Sequence, residues 1–285
     1  MLQQLKAGRA GRIIKRSRIF RFLKESNGNW QYPLIKLGWV LAGGLVPRRW
    51  VDIDGVKFNL SCTNWITHFR WYLFKTKEQE VRHFIDQYVK DGDVFFDIGA
   101  NVGVFSIYAA KKFDNIRVYS FEPEFSNLNL LKDNIICNQL PDRVKPYSLA
   151  VSDFDGMSSL NIQDYTPGAA VHTENRDTID KTDEGYRVIW SEGVCAMTVD
   201  SICEQLKVIP SIMKLDTDGN EDKILQGARK VLRDPRLRSL VIEMPLPADK
   251  MRFCEECLST AGFKKEWSDP AKTRNQIWGR QSSDQ

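Results

Sequence analysis

The 285 residues contain no uninterrupted apolar run of the roughly 18 residues that a membrane-crossing helix needs, so integral insertion is not expected. The most apolar early stretch, residues 32–46, is broken by Lys36 and carries Pro33, Gly38, Gly43 and Gly44. Glycine and proline number 18 and 11, too few for a fibrous or low-complexity chain. Six cysteines are present, but only Cys254 and Cys257 form a CxxC, and it lies within a helical pattern with no second pair. A zinc site would need two more ligands, so structural thiols in a reducing cytoplasm are the expectation. Acid is scarce at the start: residues 1–50 hold 11 Lys/Arg against Glu25 alone. The charges from Lys6 to Lys24 are not followed by an apolar core and a small-residue cleavage site, which argues against a secretory signal.

What is present supports a packed core. Hydrophobic residues make up 42% and charged residues 27%, which excludes wholesale disorder. The length suits one large domain, or one domain with an appendage. The pattern divides the chain into a basic arm (1–50), an extension packing on the core (51–92) and the main domain (93–285). In the arm, Ile13, Ile14, Phe20, Phe22 and Leu23 alternate with Arg and Lys, as in a helix lying on a surface. Residues 1–24 could therefore meet an anionic membrane, RNA or an acidic protein; a solvated leader is the plainer alternative. Residues 51–60 suggest a strand or two. The aromatic cluster of Trp65, Phe69, Trp71, Tyr72 and Phe74 suggests packing, and residues 78–89 an amphipathic helix.

From residue 93 the rhythm is regular. Strands are expected at 94–98, 117–121 and 144–151, with helices at 103–112 and 123–137 between them. This alternation is that of an α/β protein: a parallel sheet covered on both faces, with ligands at the C-terminal strand edge. Residues 164–193 are polar and acidic and suggest a long loop over that edge. The rhythm resumes with a helix at 199–206, a strand at 211–215, a helix at 221–232, a strand at 239–243 and a helix at 249–261. A terminal hairpin at 263–267 and 276–279 follows.

Four segments carry chemistry. Asp97, Gly99, Ala100, Asn101 and Gly103 form a glycine loop between the first strand and its helix. Such a loop lets backbone approach a ligand closely, with the helix N-terminus aiding its orientation. The spacing is not G-x-G-x-x-G. A carboxylate at Asp97 would repel a pyrophosphate and attract a cation, which favours S-adenosylmethionine over a dinucleotide. Glu122 ends the second strand, 25 residues after Asp97, where an acid can accept both ribose hydroxyls. Pro123 is expected to start the next helix. Ser152 and Asp153 follow the third strand. They suit either an adenine contact or a simple turn.

The fourth segment is Lys214-Leu215-Asp216-Thr217-Asp218-Gly219-Asn220-Glu221. Methyl transfer to a hydroxyl requires removal of its proton, and Asp216 is the preferred base or substrate anchor, with Asp218 and Lys214 beside it. A divalent metal on Asp216 and Asp218 is allowed but not required, and no metal site is expected. Glu221 either joins the base or favours the start of its helix. An EF-hand is excluded, because position 12 of the would-be loop is Gly227. Of the three histidines, His68, His83 and His172, only His172 falls where it could reach the site.

In order, the blocks 94–110 (VFFDIGANVGVFSIYAA), 119–124 (YSFEPE), 198–201 (TVDS), 213–221 (MKLDTDGNE) and 225–228 (LQGA) resemble those of the FkbM-family S-adenosylmethionine-dependent methyltransferases. The resemblance covers about residues 78–245. It implies a mostly parallel, seven-stranded Rossmann-like sheet and O-methylation of a sugar, glycan, glycolipid precursor or related hydroxyl-bearing metabolite. It also implies Asp97, Gly99, Asn101 and Gly103 as the cofactor loop and Glu122 as the ribose ligand. Where the family often has glutamate before the glycine of the fourth block, this chain has Asp218.

Two other readings stand beside it. Asp216-Thr217-Asp218 could be the DxD of a metal-dependent glycosyltransferase, but Asp97 would then face a diphosphate. The basic arm could lead a nucleic-acid-binding module, but the net charge of −6 over residues 51–285 argues against an extended nucleic-acid surface, and no nucleic acid is expected.

Overall fold

The structure, a computed structural model, describes residues 48–76, 78–170, 173–174 and 188–281. Nearly all of the basic arm, and His172, therefore lie outside the described residues.

The first elements are a hairpin of β1 (Arg48–Ile53) and β2 (Val56–Ser61), closed by the two-residue Asp54-Gly55 turn. Arg48, Arg49 and Trp50 thus belong to the hairpin rather than to the arm. The aromatic cluster is helix α1 (Trp65–Leu73) and the turn after it. Asn64 caps the helix by accepting from the Thr67 amide, while the Thr67 hydroxyl accepts from the Asn64 amide. Helix α2 (Gln79–Tyr88) buries Val81, Phe84 and Ile85 along one stripe.

The core alternates as expected: β3 (Val94–Ile98), α3 (Val104–Lys112), β4 (Arg117–Phe121), α4 (Phe125–Cys137) and β5 (Val144–Tyr147). Further on come β10 (Ile212–Leu215), α6 (Glu221–Gln226), β11 (Ser239–Glu243), α7 (Ala248–Thr260), β12 (Phe263–Ser268) and β13 (Asn275–Arg280). The seven-stranded sheet runs β12-β13-β11-β10-β3-β4-β5. β11, β10, β3, β4 and β5 are parallel, and β13 is antiparallel to both β11 and β12.

The two-residue strand period sorts side chains onto two faces. Phe95, Val118, Ile212, Val241 and Ile277 pack under α2, α3, α4 and the hairpin. Phe96, Phe121, Met213, Leu240 and Ile242 pack under α5 (Val199–Leu206), α6 and α7. Each fully buried side chain of this kind contributes about 1.5–3 kcal/mol. Cys254 on α7 is one of these core residues, and all six cysteines are free thiols.

Four expectations are revised. The third strand divides: β5, an edge strand containing Pro146, stays in the large sheet, while β6 (Ala150–Val151) pairs with β9 (Trp190–Met197). Residues 164–193 are not wholly loop, because β9 begins at Trp190. With β6, β7 (Gly156–Ile162) and β8 (Thr173–Glu174), β9 forms a second sheet ordered β6-β9-β7-β8. It buries only a small cluster, including Leu160, Ile162 and Val194, so its apolar signal is thin. The helix expected at 221–232 stops at Gln226, before Gly227, and a single 3-10 turn follows at Val231–Arg233. Helix α4 starts two residues beyond Pro123. Its N-cap is Glu124, whose carboxylate accepts from the Ser126 and Asn127 amides.

Candidate active site

The C-terminal tips of the parallel strands open onto a cavity of about 650 Å³. The loop after β3 lines it through Gly99 and Asn101. The Gly99 and Ala100 amides both donate to the Phe121 carbonyl at 3.0 Å, which ties the loop to the tip of β4. Gly99 has φ 76°, and a Cβ there would lie 1.8 Å from the Asp216 carbonyl oxygen. Gly103, at φ 82°, caps α3, and a Cβ would come within 2.1 Å of Leu131 Cδ1. Only glycine satisfies both the handedness and the space at these positions.

Glu122, one residue past β4, is buried on the cavity wall. Its Oε2 accepts from the Asn101 amide at 2.8 Å and its Oε1 from the Glu124 amide at 3.0 Å. Burial raises its pKa to about 7, against the pull of those two amides. The Asn127 side chain also hydrogen-bonds this carboxylate and favours its charged form. Asn101 also lines the cavity, and its side chain donates to the Ala169 carbonyl at 2.7 Å, fastening the 167–170 segment over the glycine loop.

Asp97 does not join Glu122 on that wall, so the expected pair of ligand-facing carboxylates is split. It is the second-last residue of β3, and the strand pleat turns it into the α3 layer. There its Oδ2 accepts from Ser106 at 2.6 Å, and Ser106 in turn contacts Ser120 at 2.7 Å. Its Oδ1 lies 3.2 Å from Lys214 Nζ. Asp97 and Lys214 are register partners on neighbouring strands, which is why they meet. Lys214 is buried too and does not face the cavity as a catalytic group would. It reaches Gly99 O at 3.2 Å and Asp216 Oδ2 at 3.4 Å. Burial works against its charge, yet Asp97 and then Asp216 outweigh it and raise its pKa. Lys214 is thus a brace between β3, the glycine loop and β10.

Asp216 and Asp218 do line the cavity. The loop that carries them is organised by Glu221, whose Oε1 accepts from the Thr217 amide at 2.8 Å and the Thr217 hydroxyl at 2.9 Å. Sequence reasoning missed the acid opposite them. Glu243, the last residue of β11, lines the same cavity and pairs with Arg274 at 2.9 Å. Its pKa is raised to about 8, first by burial, then by Asp216, with Asp218 and Glu221 adding and Arg274 opposing. Its signal is an acid at the C-terminal end of a parallel strand, the same pattern that marks Asp97 and Glu122. Arg70 of α1, Glu80 of α2 and Arg274 also reach the wall, but nothing local in the sequence signals this.

Ser152 and Asp153 are not on the cavity wall: Ser152 is fully buried and Asp153 is exposed. That end of the cavity is lined instead by Leu149, Ala150, Val151 and Leu160. His68 is buried elsewhere and His83 is exposed. Among the described residues, no group of three or more His, Cys, Asp or Glu is placed to hold a metal ion. No helix among them is long and apolar enough to cross a membrane.

A glycine loop pressed against the neighbouring strand tip, an acid one strand further on and a reversed β13 together describe a Rossmann-like methyltransferase. Residues 97–265 match the model of the methyltransferase FkbM domain. The chain belongs to the FkbM methyltransferase family. It is 25% identical over 185 residues to the 31-O-demethyl-FK506 methyltransferase FkbM of Streptomyces tacrolimicus, covering 58% of this chain and 69% of that protein. It is 24% identical over 208 residues to the hexuronic acid methyltransferase AglP of Haloferax volcanii, covering 73% and 78%. The crystal structure of a methyltransferase FkbM from Methylobacillus flagellatus KT matches with a TM-score of 0.46 at 14% identity. That match covers 75% of this chain and 52% of the other, so the chain spans about half the length of that protein.

Proposed function

We propose that the protein is an S-adenosylmethionine-dependent O-methyltransferase acting on a hydroxyl of a sugar, glycan or glycolipid precursor. The observation that carries the donor assignment is Glu122. A buried carboxylate fixed by two backbone amides beside a glycine loop is suited to accept the two hydroxyls of a ribose. The donor set fits a cationic nucleoside: the wall carries Glu122, Asp216, Asp218 and Glu243, which favour an ammonium and a sulfonium and oppose a diphosphate. When bound, S-adenosylmethionine supplies an electrophilic methyl carbon.

Within this reading, Gly99 lets the cofactor loop close against the Asp216 backbone. Leu149, Val151 and Leu160 offer an apolar bed for a purine. Asp216 and Glu243 are the groups that take the proton from the acceptor hydroxyl, because burial first, and then the charge of Asp216, raises the proton affinity of Glu243. Asp218 anchors the acceptor. The acceptor class is supported by relatives named for an O-demethylated compound and a hexuronic acid. The basic segment at residues 1–24 is assigned to contact with an anionic membrane surface, on charge alone, and the enzyme to the cytoplasmic side.

Titration calorimetry with S-adenosylmethionine tests the donor. Saturable binding is expected in the parent, and loss of at least about 10-fold in affinity in Glu122→Ala, the size of one charge-assisted contact. Unchanged affinity in that variant would remove the basis of the assignment. Asp216→Ala is expected to bind the donor and to lower methyl transfer.

A further inference from the structure

The charge inventory of the cavity leaves one group unaccounted for. Its wall is strongly acidic, yet S-adenosylmethionine is a zwitterion at its amino-acid end, and a cation there would offset the repulsion between its carboxylate and that wall. Among the described residues, three cations line the cavity: Arg70, Lys272 and Arg274. Arg274 is engaged, pairing with Glu243 at 2.9 Å and donating to the Met244 carbonyl at 2.9 Å. Lys272 pairs with Asp269 at 3.1 Å, and its side chain is 83% exposed, where water screens its charge.

Arg70 differs from both. It is half-buried, at the end of α1. Its Nε donates to the Gly168 carbonyl at 2.5 Å, which fixes the plane of the guanidinium. Its two terminal nitrogens have no partner among the described residues. Gly168 is itself held, since its amide donates to Asn127 Oδ1 at 2.6 Å and the Asn127 side chain donates to Ala169 O at 3.1 Å. Asn101, whose amide grips Glu122, holds the same Ala169 carbonyl at 2.7 Å. One hydrogen-bonded segment therefore joins the guanidinium to the glycine loop. A guanidinium held at Nε, with the edge between its two terminal nitrogens open, matches a carboxylate in bidentate geometry.

We propose that Arg70 binds the carboxylate of the amino-acid portion of the methyl donor. This rests on the S-adenosylmethionine reading above. The binding energy comes from a charge-assisted contact in an otherwise acidic cavity. It also rejects donor breakdown products that keep the nucleoside but have lost the acid.

The test is calorimetric titration of the full chain with S-adenosylmethionine and with decarboxylated S-adenosylmethionine, which keeps the ammonium, sulfonium and nucleoside. The parent should prefer the carboxylated compound by roughly 10- to 100-fold. Arg70→Gln keeps an N–H for the Gly168 carbonyl and removes the charge. It should lose that preference while binding the decarboxylated compound within about twofold of the parent. An equal loss for both compounds would overturn the proposal and make Arg70 a staple for the 167–170 segment. Unchanged binding of S-adenosylmethionine by Arg70→Gln would overturn it in favour of an arginine that serves the acceptor. A parent that binds the two compounds equally overturns it without any variant. A parent that binds neither refutes the donor assignment itself, a result distinct from the others.

Discussion

The tips of β3 and β4 and the tips of β10 and β11 all carry acids at one edge of the sheet, but they manage negative charge in opposite ways. At β3, Asp97 is neutralised by Lys214 inside the protein. At β4, Glu122 stands apart from other wall acids and is held by backbone amides, which are preorganised and cannot turn away. At β10 and β11, Asp216 and Asp218 both act on the buried Glu243, with Arg274 beside Glu243 and Lys214 beside Asp216 offsetting part of the negative charge. In the proposed function the first region is the one that recognises the donor, and the second, with its raised proton affinity at Glu243, is the one that acts on the hydroxyl.

The largest effect should come from removing the brace of the rigid region. Lys214→Met leaves Asp97 charged and unpaired in the core, and about 3–5 kcal/mol of stability should be lost in urea unfolding. Adding Asp97→Asn to that variant should restore much of it. A single variant as stable as the parent would mean that the two regions are not distinguished by a buried ion pair.

An intermediate effect should appear in pH dependence. The pKa of Glu122 is about 7 in the free protein, and ligand hydroxyls favour its ionised form, so binding expels a proton below pH 7. Affinity for S-adenosylmethionine should rise by up to about 10-fold per pH unit toward pH 7 and then level, as read by titration between pH 5.5 and 8. Folding stability moves the other way. A glutamate whose pKa is raised on folding contributes stability below its unfolded value of 4.5, and that contribution is lost as pH rises through about 7. Opposite slopes in binding and in melting would tie both to Glu122; parallel slopes would not.

The smallest effect sharpens the boundary of the site. Asp153 is exposed and off the cavity wall, so Asp153→Ala should change donor affinity by less than about twofold and stability by less than about 0.5 kcal/mol, measured on the same samples. A larger loss would extend the nucleoside end of the cavity beyond Leu149, Ala150 and Val151.

The parts of the fold that were legible are those whose side chains repeat with the period of their element. The strands at 94–98, 117–121 and 239–243 agree with the structure residue for residue, because continuous apolar runs are buried on both faces. The strands β7 and β9 escaped notice because their sheet buries one sparse face, and residues such as Ser158, Ser159 and Gly193 carry little strand signal. Within the site, Gly99, Gly103, Glu122 and Asp216 were legible from their places at loop and strand ends. Glu243 ends a strand that the sequence also marks, yet its role on the wall depends on the approach of Arg274 and Asp216.

The amino-acid order alone determined the alternation of strands and helices, the glycine loop, and the presence of acids at the strand ends. These follow from local rules of periodicity, turn geometry and strand termination. Which acids face the cavity was decided only by the tertiary structure. Asp97 and Glu122 look equivalent along the chain, but the pleat of β3 and the register that sets Lys214 beside Asp97 turn one inward, while the other, past its strand's end, meets the cavity. Arg70 and Arg274 come from opposite ends of the chain to that same cavity, because charge balance across a site is a property of the packed molecule and not of any segment.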